Sequence, residues 1–500
     1  MSRLEDNKKY FLKMLTISKL LYKKSSPNIC LQYIEKMSYS AWHNFTGYYT
    51  SNLLEYFIRK ISLQSLKFLE NVSIKNEKDS TLHIFSEISE IGGHSKLIFT
   101  WIENDVESKH FLLSTRQRQD EIIRIAKSYN YSIANNLFTF EDKEGIIDKA
   151  QSIINLLQTN VFNRVILHIH PNDVIPSMVF SSEKITVPIF FLNHDEHTFW
   201  LGAPIIDFLL QIRESNIQKD FQNRGIPKEQ QFFLPICVDE IYTRKRKKTN
   251  IFNILSIGRE VKYEPNKEYN FFSSAIKILE KFEHVVFTII GIATNSPIRN
   301  IYKHERLIFV HPTRELKDYI EKTDLYLEGF PIPSFMSLLE PAIAGIPFVL
   351  HYNPASIYKI FENNIKNGIF YPENFEKWYQ EVEKMIEDER YREHTNTLQF
   401  NYLKENYSSD AWRKKLKEIK EITKHKKHKI RSIKNYEKCY NNRDEQLVSV
   451  IETKKIEHYK YTFQLGFISR LWVIILSINN PIWVKTLSKK QTIKYLLNIS

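Results

Sequence analysis

Glycine and cysteine are both scarce in this chain, at 12 and 3 of 500 residues. Cys30, Cys237 and Cys439 are far apart and odd in number, which excludes a disulfide framework and a cysteine-based zinc cluster and fits a reducing compartment. So few glycines leave no room for collagenous or low-complexity architecture, and there is no repeat period. No Gly-x-Gly-x-x-Gly fingerprint and no phosphate loop ending in Lys-Ser/Thr occur, which counts against dinucleotide and nucleoside-triphosphate readings. The N-terminal stretch MSRLEDNKKYFLKMLTISKLLYKK mixes charges into its apolar residues and lacks the continuous core of a signal peptide, so a cytoplasmic protein is expected.

What is present is 42% hydrophobic residues and a net charge of +13. The first is ample for two or three buried cores, and the second favours anionic partners such as nucleotides or an acidic membrane face. Residues 1–78 carry apolar side chains at three- and four-residue spacing and are expected to form a helical N-terminal extension. From residue 79 to 245 the runs LHIFSEIS, KLIFTWI, HFLLST, RVILHIH and ITVPIFFLN predict a mostly parallel α/β sheet. The basic stretch YTRKRKKTN, residues 242–250, reads as a linker. Residues 246–425 repeat the pattern with NILSIG, HVVFTIIGI, RLIFV, DLYLEGF and IPFVLHY, which predicts a second doubly wound domain facing the first across a cleft. Residues 426–500 form a basic helical tail. Its segment FQLGFISRLWVIILSI is interrupted by Arg470 and too short for a confident membrane span. Two readings stay open there: an interfacial helix peripheral on an acidic membrane face, or a terminal helix packed on the body.

Five segments carry candidate chemistry. In SEISEIGGHSKLIFTW, Gly92 and Gly93 with His94 lead into a helix, so backbone N–H groups can approach an anion or sugar; an ordinary tight turn is the other account. In ILSIGREVKYE, Arg259 and Lys262 follow a strand and are placed to hold a diphosphate, unless they are solvated surface charges. In DLYLEGFPIPSFMSLLEPAIAGIPF, a strand ends at Glu328-Gly329-Phe330 and a helix begins near Ser334 to Ser337, with Ser337 and Leu338 in its opening and Glu340 in an early turn, offering N–H groups to phosphate and a carboxylate to hydroxyls. In FFLNHDEHTFWLG, His194, Asp195 and His197 follow a strand. A turn with no clear third ligand disfavours a metal there, and a strand cap remains the plain alternative. The preceding strand ends in HIHPND, which makes His170 and Asp173 second-rank candidates for an acceptor side.

DLYLEGFP followed by SLLEPAIAGIPFV resembles the donor-binding segment of GT-B glycosyltransferases, particularly the family-four group. The GGH loop, the Gly-Arg-x-x-Lys segment and the strand-terminal His-Asp fall in that group's order, over residues 82–425. The resemblance implies two Rossmann-like domains, a nucleotide-sugar donor with UDP-sugar taken as the first choice, no resident cofactor and no metal. It implies His194 and Asp195 at the reacting sugar, Arg259, Lys262 and the helix near Ser337 at the diphosphate, and Glu340 at donor hydroxyls. Family-four enzymes space their two glutamates more closely than Glu328 and Glu340 stand here, so only Glu340 maps onto the pattern. The implied acceptor is a hydroxyl of a glycan, lipid-linked glycan or protein in glycoconjugate or surface polysaccharide synthesis; the resemblance favours retention of configuration, and inversion with His194 or Asp195 as the base stays open. A nucleotide-sugar 2-epimerase and a non-catalytic partner or membrane-binding subunit on the same fold stay open. Nucleic-acid binding is disfavoured because the lysine-rich tail has little aromatic interleaving.

Overall fold

A computed structural model describes residues 3–69, 75–76, 79–90, 93–129, 131, 136–140, 144–238, 250–313, 315–354, 358–432, 459–477 and 487–498. The chain divides into two units. The first comprises residues 1–212, 216–234 and 417–500, and the second 213–215 and 235–416.

The first unit contains β1 (Lys75–Asn76), β2 (Ser80–Phe85), β3 (Lys109–Ser114), β4 (Leu137–Phe138), β5 (Asn160–Val161), β6 (Arg164–His168), β7 (Ile189–Asn193), β8 (Phe208–Gln211) and β9 (Gln231–Phe233). Seven of these form one parallel sheet in the order β4-β3-β2-β6-β7-β8-β9, and β1 pairs with β5. The runs RVILH and IFFLN are buried at every position, as a parallel strand covered on both faces requires. Chain order reverses between β2 and β6, so their carboxyl ends flank the position where open α/β sheets bind ligands.

KLIFTWI is helical rather than extended: it lies inside the helix Gly93–Asn104. Leu97, Ile98, Trp101 and Ile102 fall at helical spacing and are buried together, which decides the period. The helices Arg3–Lys24, Pro27–His43 and Asn52–Ser65 share one core with the sheet, where Phe11, Ile34 and Ile58 join Leu82, Val165 and Phe191. The described parts of the tail join it too: Leu465, Val473 and Tyr495 are buried there, and Tyr461 packs edge-on against Tyr33.

The interior of this sheet holds an uncommon amount of polarity. His83 Nδ1 lies 3.0 Å from His168 Nε2, His83 Nε2 lies 3.0 Å from His110 Nδ1, and His110 Nε2 lies 2.8 Å from the Asp105 carbonyl oxygen. Burial holds all three imidazoles below their ordinary pKa, His168 at about 3, so they are neutral near pH 7. At the ends of β7, β8 and β9, Asn193 and Gln211 each donate to Asp220 Oδ2 at 2.7 Å, and Asp220 pairs with the fully buried Arg224.

The second unit contains β10 (Phe252–Ile257), β11 (Val285–Ile290), β12 (Leu307–Val310), β13 (Leu325–Leu327) and β14 (Phe348–Val349), all parallel, in the order β12-β11-β10-β13-β14. This is the Rossmann order, with its reversal between β10 and β13. Its core is its own, built on Phe271, Phe287, Leu327 and Trp378 among others. The two doubly wound units give the chain an α/β class of fold.

Candidate functional site

At the carboxyl end of β2 and β6, Asp173 organises three crossover loops. It caps the helix Val174–Val179 by accepting the Ile175 N–H, and its Oδ2 also accepts the hydroxyls of Ser86 at 2.6 Å and Thr115 at 2.5 Å. A fully buried carboxylate with three donors is a structural tie, which is how its place differs from an open acceptor-side position. His170, whose N–H donates to Ser86 Oγ, reaches the surface layer instead. Its ring lies 5.5 Å from that of Trp42, and burial and the Arg116 guanidinium push it down to about 4. Arg116 pairs with Glu35 at 2.7 Å. Glu35, Arg116, Lys36, Tyr39, Asn172 and Tyr461 surround most of a pocket of about 320 Å³. A larger one, about 550 Å³, opens near the amino ends of β6 and β7, away from these groups.

After β7, His194 Nε2 lies 3.2 Å from Asp195 Oδ2, and both are partly exposed. Burial acts to lower the His194 pKa, but the Asp195 carboxylate and the Leu192 carbonyl outweigh it and hold the imidazole above its ordinary value. The carboxylate thus favours the protonated imidazole, whose N–H groups can donate. His197 is partly buried two residues on. Gly93 and His94 stand in the first turn of the helix Gly93–Asn104, whereas Gly92 and the linker residues 242–249 lie outside the described residues.

In the second unit, β10 is followed by Gly258 and Arg259, and the chain turns into a short helix, Glu260–Tyr263. A side chain at Gly291, whose φ is +110°, would collide with the Gly258 carbonyl, and one at Gly329 would collide with Tyr263. The strand ends therefore close on one another only because glycine stands there. Arg259 is exposed. Lys262 is half-buried and donates to the Pro333 carbonyl at 3.2 Å. Burial, then Arg259 and Arg213, bring its pKa down to about 8. Arg213 was missed in the sequence because it joins this unit as part of a three-residue segment, with no motif around it. Its guanidinium lies over the Phe335 ring at 5.4 Å.

Glu328 follows β13 and is buried, with its Oε2 accepting the His351 N–H at 2.7 Å. Its Oε1 meets no hydrogen-bond partner among the described residues. Burial pushes its pKa up to about 8 against the pull of that N–H, Arg213 and Lys262. The helix after the proline loop runs Phe335–Ile343 with Ser334 as its N-cap residue. Ser337 is its third residue, and the first-turn N–H groups of such a helix have no intrahelical acceptor. Leu338 differs from its expected role: its N–H is taken by the Ser334 carbonyl and its side chain is core. Glu340 sits one turn further along, partly exposed. Among the described residues no cluster of three or more His, Cys, Asp or Glu is arranged to hold a metal ion.

The raised Glu328 pKa has a measurable result. Its folded value lies above the ordinary 4.5, so the stability it contributes is complete below pH 4.5 and is lost as pH rises through about 8. Glu328→Gln is expected to flatten that loss: between pH 6 and 9 (~) the parent's thermal midpoint falls while the variant's holds, with a slope of up to about 1.4 kcal/mol per pH unit at stake. Parallel slopes for the two proteins would contradict the assignment.

No protein-family profile and no curated protein matches the sequence. Among solved structures, the chain is similar to the Anabaena protein HepE in complex with UDP, at 10% identity and a TM-score of 0.52 over 68% of this chain and 99% of that one. It is also similar to a glycosyltransferase from Rickettsia africae, at 11% identity and a TM-score of 0.51 over 69% and 98%. At such identities the likeness shows a shared fold, that of the GT-B glycosyltransferases.

Proposed function

We propose that a chain with this fold transfers a sugar from a nucleoside diphosphate sugar to a hydroxyl of a glycan, lipid-linked glycan or protein. The observation that carries the reading is the meeting of Arg213, Arg259 and Lys262 at the carboxyl edge of β10, beside the Phe335–Ile343 helix and at the reversal point of its sheet. Burial, and after it the two neighbouring guanidinium groups, lower the Lys262 pKa, and a diphosphate would offset the repulsion among the three cations. The Ser337 N–H and its neighbours in the first helical turn add donors for phosphate oxygens, and Glu340 serves donor hydroxyls. Uridine is the favoured base, since structures of HepE hold UDP and UDP-glucose. In the first unit, His194 and Asp195 serve the reacting sugar. His194, paired with Asp195, can donate to a hydroxyl or phosphate oxygen, and the family resemblance favours a retaining reaction, which requires no separate base.

Calorimetric titration with UDP, GDP, ADP, dTDP and CMP, with and without EDTA, tests this. UDP is expected to bind, unchanged by EDTA, and Glu340→Ala to weaken a UDP-sugar more than UDP itself. Failure of every nucleotide to bind a folded protein would overturn the reading. Inversion at C2 of a UDP-sugar incubated without acceptor would move the chain to the epimerase class.

A further inference from the structure

The helix Phe467–Leu476 is amphipathic in the unexpected sense. Its buried positions are Ser469, Arg470 and Val473, whereas Phe467, Ile468, Leu471, Trp472 and Ile475 point outward, with Ile468 72% and Trp472 57% exposed. The outward residues recur at one- and four-residue spacing and so form one continuous stripe. The helix Lys489–Leu497 adds Ile493 and Leu497, both more than half exposed.

This arrangement is fixed, because the polar side of the first helix does the fastening. Arg470 donates to the Phe463 carbonyl at 2.8 Å, to Asn498 Oδ1 at 2.9 Å and to the Leu496 carbonyl at 3.0 Å, and Thr462 and Tyr495 share a hydrogen bond at 2.7 Å. Lys24 of the first helix donates to Ser469 at 3.3 Å. An arginine held inside by three acceptors leaves the apolar stripe facing out on the first unit, where water would be a poor partner.

Charge selects the partner. From His458 to Ser500 the sequence has no aspartate or glutamate, against Lys460, Arg470, Lys485, Lys489, Lys490 and Lys494. Lys489, Lys490 and Lys494 are exposed on the same helix as Ile493 and Leu497, where long stems can lie along an apolar layer with their ammonium groups at its boundary. Among the described residues no helix is long and apolar enough to cross a bilayer. Two copies of so uniformly basic a surface would repel each other. We propose that the helices Phe467–Leu476 and Lys489–Leu497 form a docking face for the anionic leaflet of a lipid bilayer, with the apolar stripe entering the acyl boundary and the lysines meeting headgroup charges.

Vesicle co-sedimentation of the full chain tests it. The protein is expected to sediment with phosphatidylglycerol-containing vesicles and to stay in solution with pure phosphatidylcholine. Ile468→Ser with Trp472→Ser changes only exposed side chains and should abolish sedimentation, and Lys489→Glu with Lys490→Glu should weaken it by at least about tenfold while leaving the stripe intact. Unchanged thermal midpoints identify both variants as folded, and if the first were not, the second alone decides. Equal binding to neutral vesicles, or none to either, would overturn the proposal. So would a dimer, seen by light scattering without lipid, that the Ile468→Ser, Trp472→Ser variant loses, because the face would then belong to a second copy.

Discussion

Lys262→Ala is expected to weaken binding of a nucleoside diphosphate by roughly 10- to 100-fold, the worth of a charge-assisted hydrogen bond to phosphate. The position of the side chain is set twice over, by its bond to the Pro333 carbonyl and by the Ile332 N–H, which donates to the Lys262 carbonyl. Its pKa, about 8 in the unliganded protein, rises when a dianion arrives, so binding takes up a proton. Affinity in the parent protein therefore falls as pH rises through about 8, and that dependence shrinks in the variant. Titrations in two buffers of different ionisation enthalpy at pH 8 (~) measure the proton uptake directly. Equal affinity and equal proton uptake in parent and variant would remove Lys262 from the site. Lys262→Arg retains charge but not the compact ammonium, and intermediate affinity is expected of it.

Ending the chain after His425 is expected to unfold the first unit while the second keeps its nucleotide affinity. The loss begins with His428, which is fully buried, with Nδ1 at 2.9 Å from Asp207 Oδ2 and Nε2 at 2.9 Å from the Phe180 carbonyl oxygen. Removing one member of a buried pair costs about 3–5 kcal/mol. Loss of Leu465, Val473 and Tyr495 from the core adds about 1.5–3 kcal/mol for each apolar side chain. The total reaches the whole stability of an ordinary domain, about 5–15 kcal/mol. The second unit has a separate core, so differential scanning calorimetry of the shortened chain should show one transition where the full chain shows two. A shortened chain that keeps both would mean that the tail contributes nothing to the fold.

The second unit was legible in the sequence because each of its strands is an apolar run closed by a turn signal: NILSI ends at Gly258, VVFTII at Gly291 and LYL at Glu328-Gly329. The first was harder to read. FLLQ and QFF escaped notice because Gln211 and Gln231 break the apolar pattern, and their burial is tolerated because Gln211 bonds Asn193, Asp220 and Gln231, while Gln231 also donates to the Ile217 and Ile226 carbonyls. Helices with an apolar stripe announce that they pack but not on what, so the opening three read as an extension although they share the sheet's core. The same limit applied to the tail, whose Arg470 looked like an interruption and is an anchor. Among the candidate residues, Glu328 and Arg259 in the second unit and His194 in the first stand out from their strand-end positions alone. Arg213 does not, since nothing local distinguishes it from the other cations of a basic chain.

The three imidazoles crossing the first sheet give its interior a direction. A carbonyl oxygen can only accept, so the Asp105 end requires a proton on His110 Nε2 and leaves His110 Nδ1 bare. His83 must then offer Nε2–H to His110, and His168 must offer Nε2–H to His83. One backbone oxygen thus dictates the tautomer of a residue two strands away. Reversing the sense of the row would need three protons to change places together and would leave that oxygen without its donor, so each copy of the protein folds with the same grain.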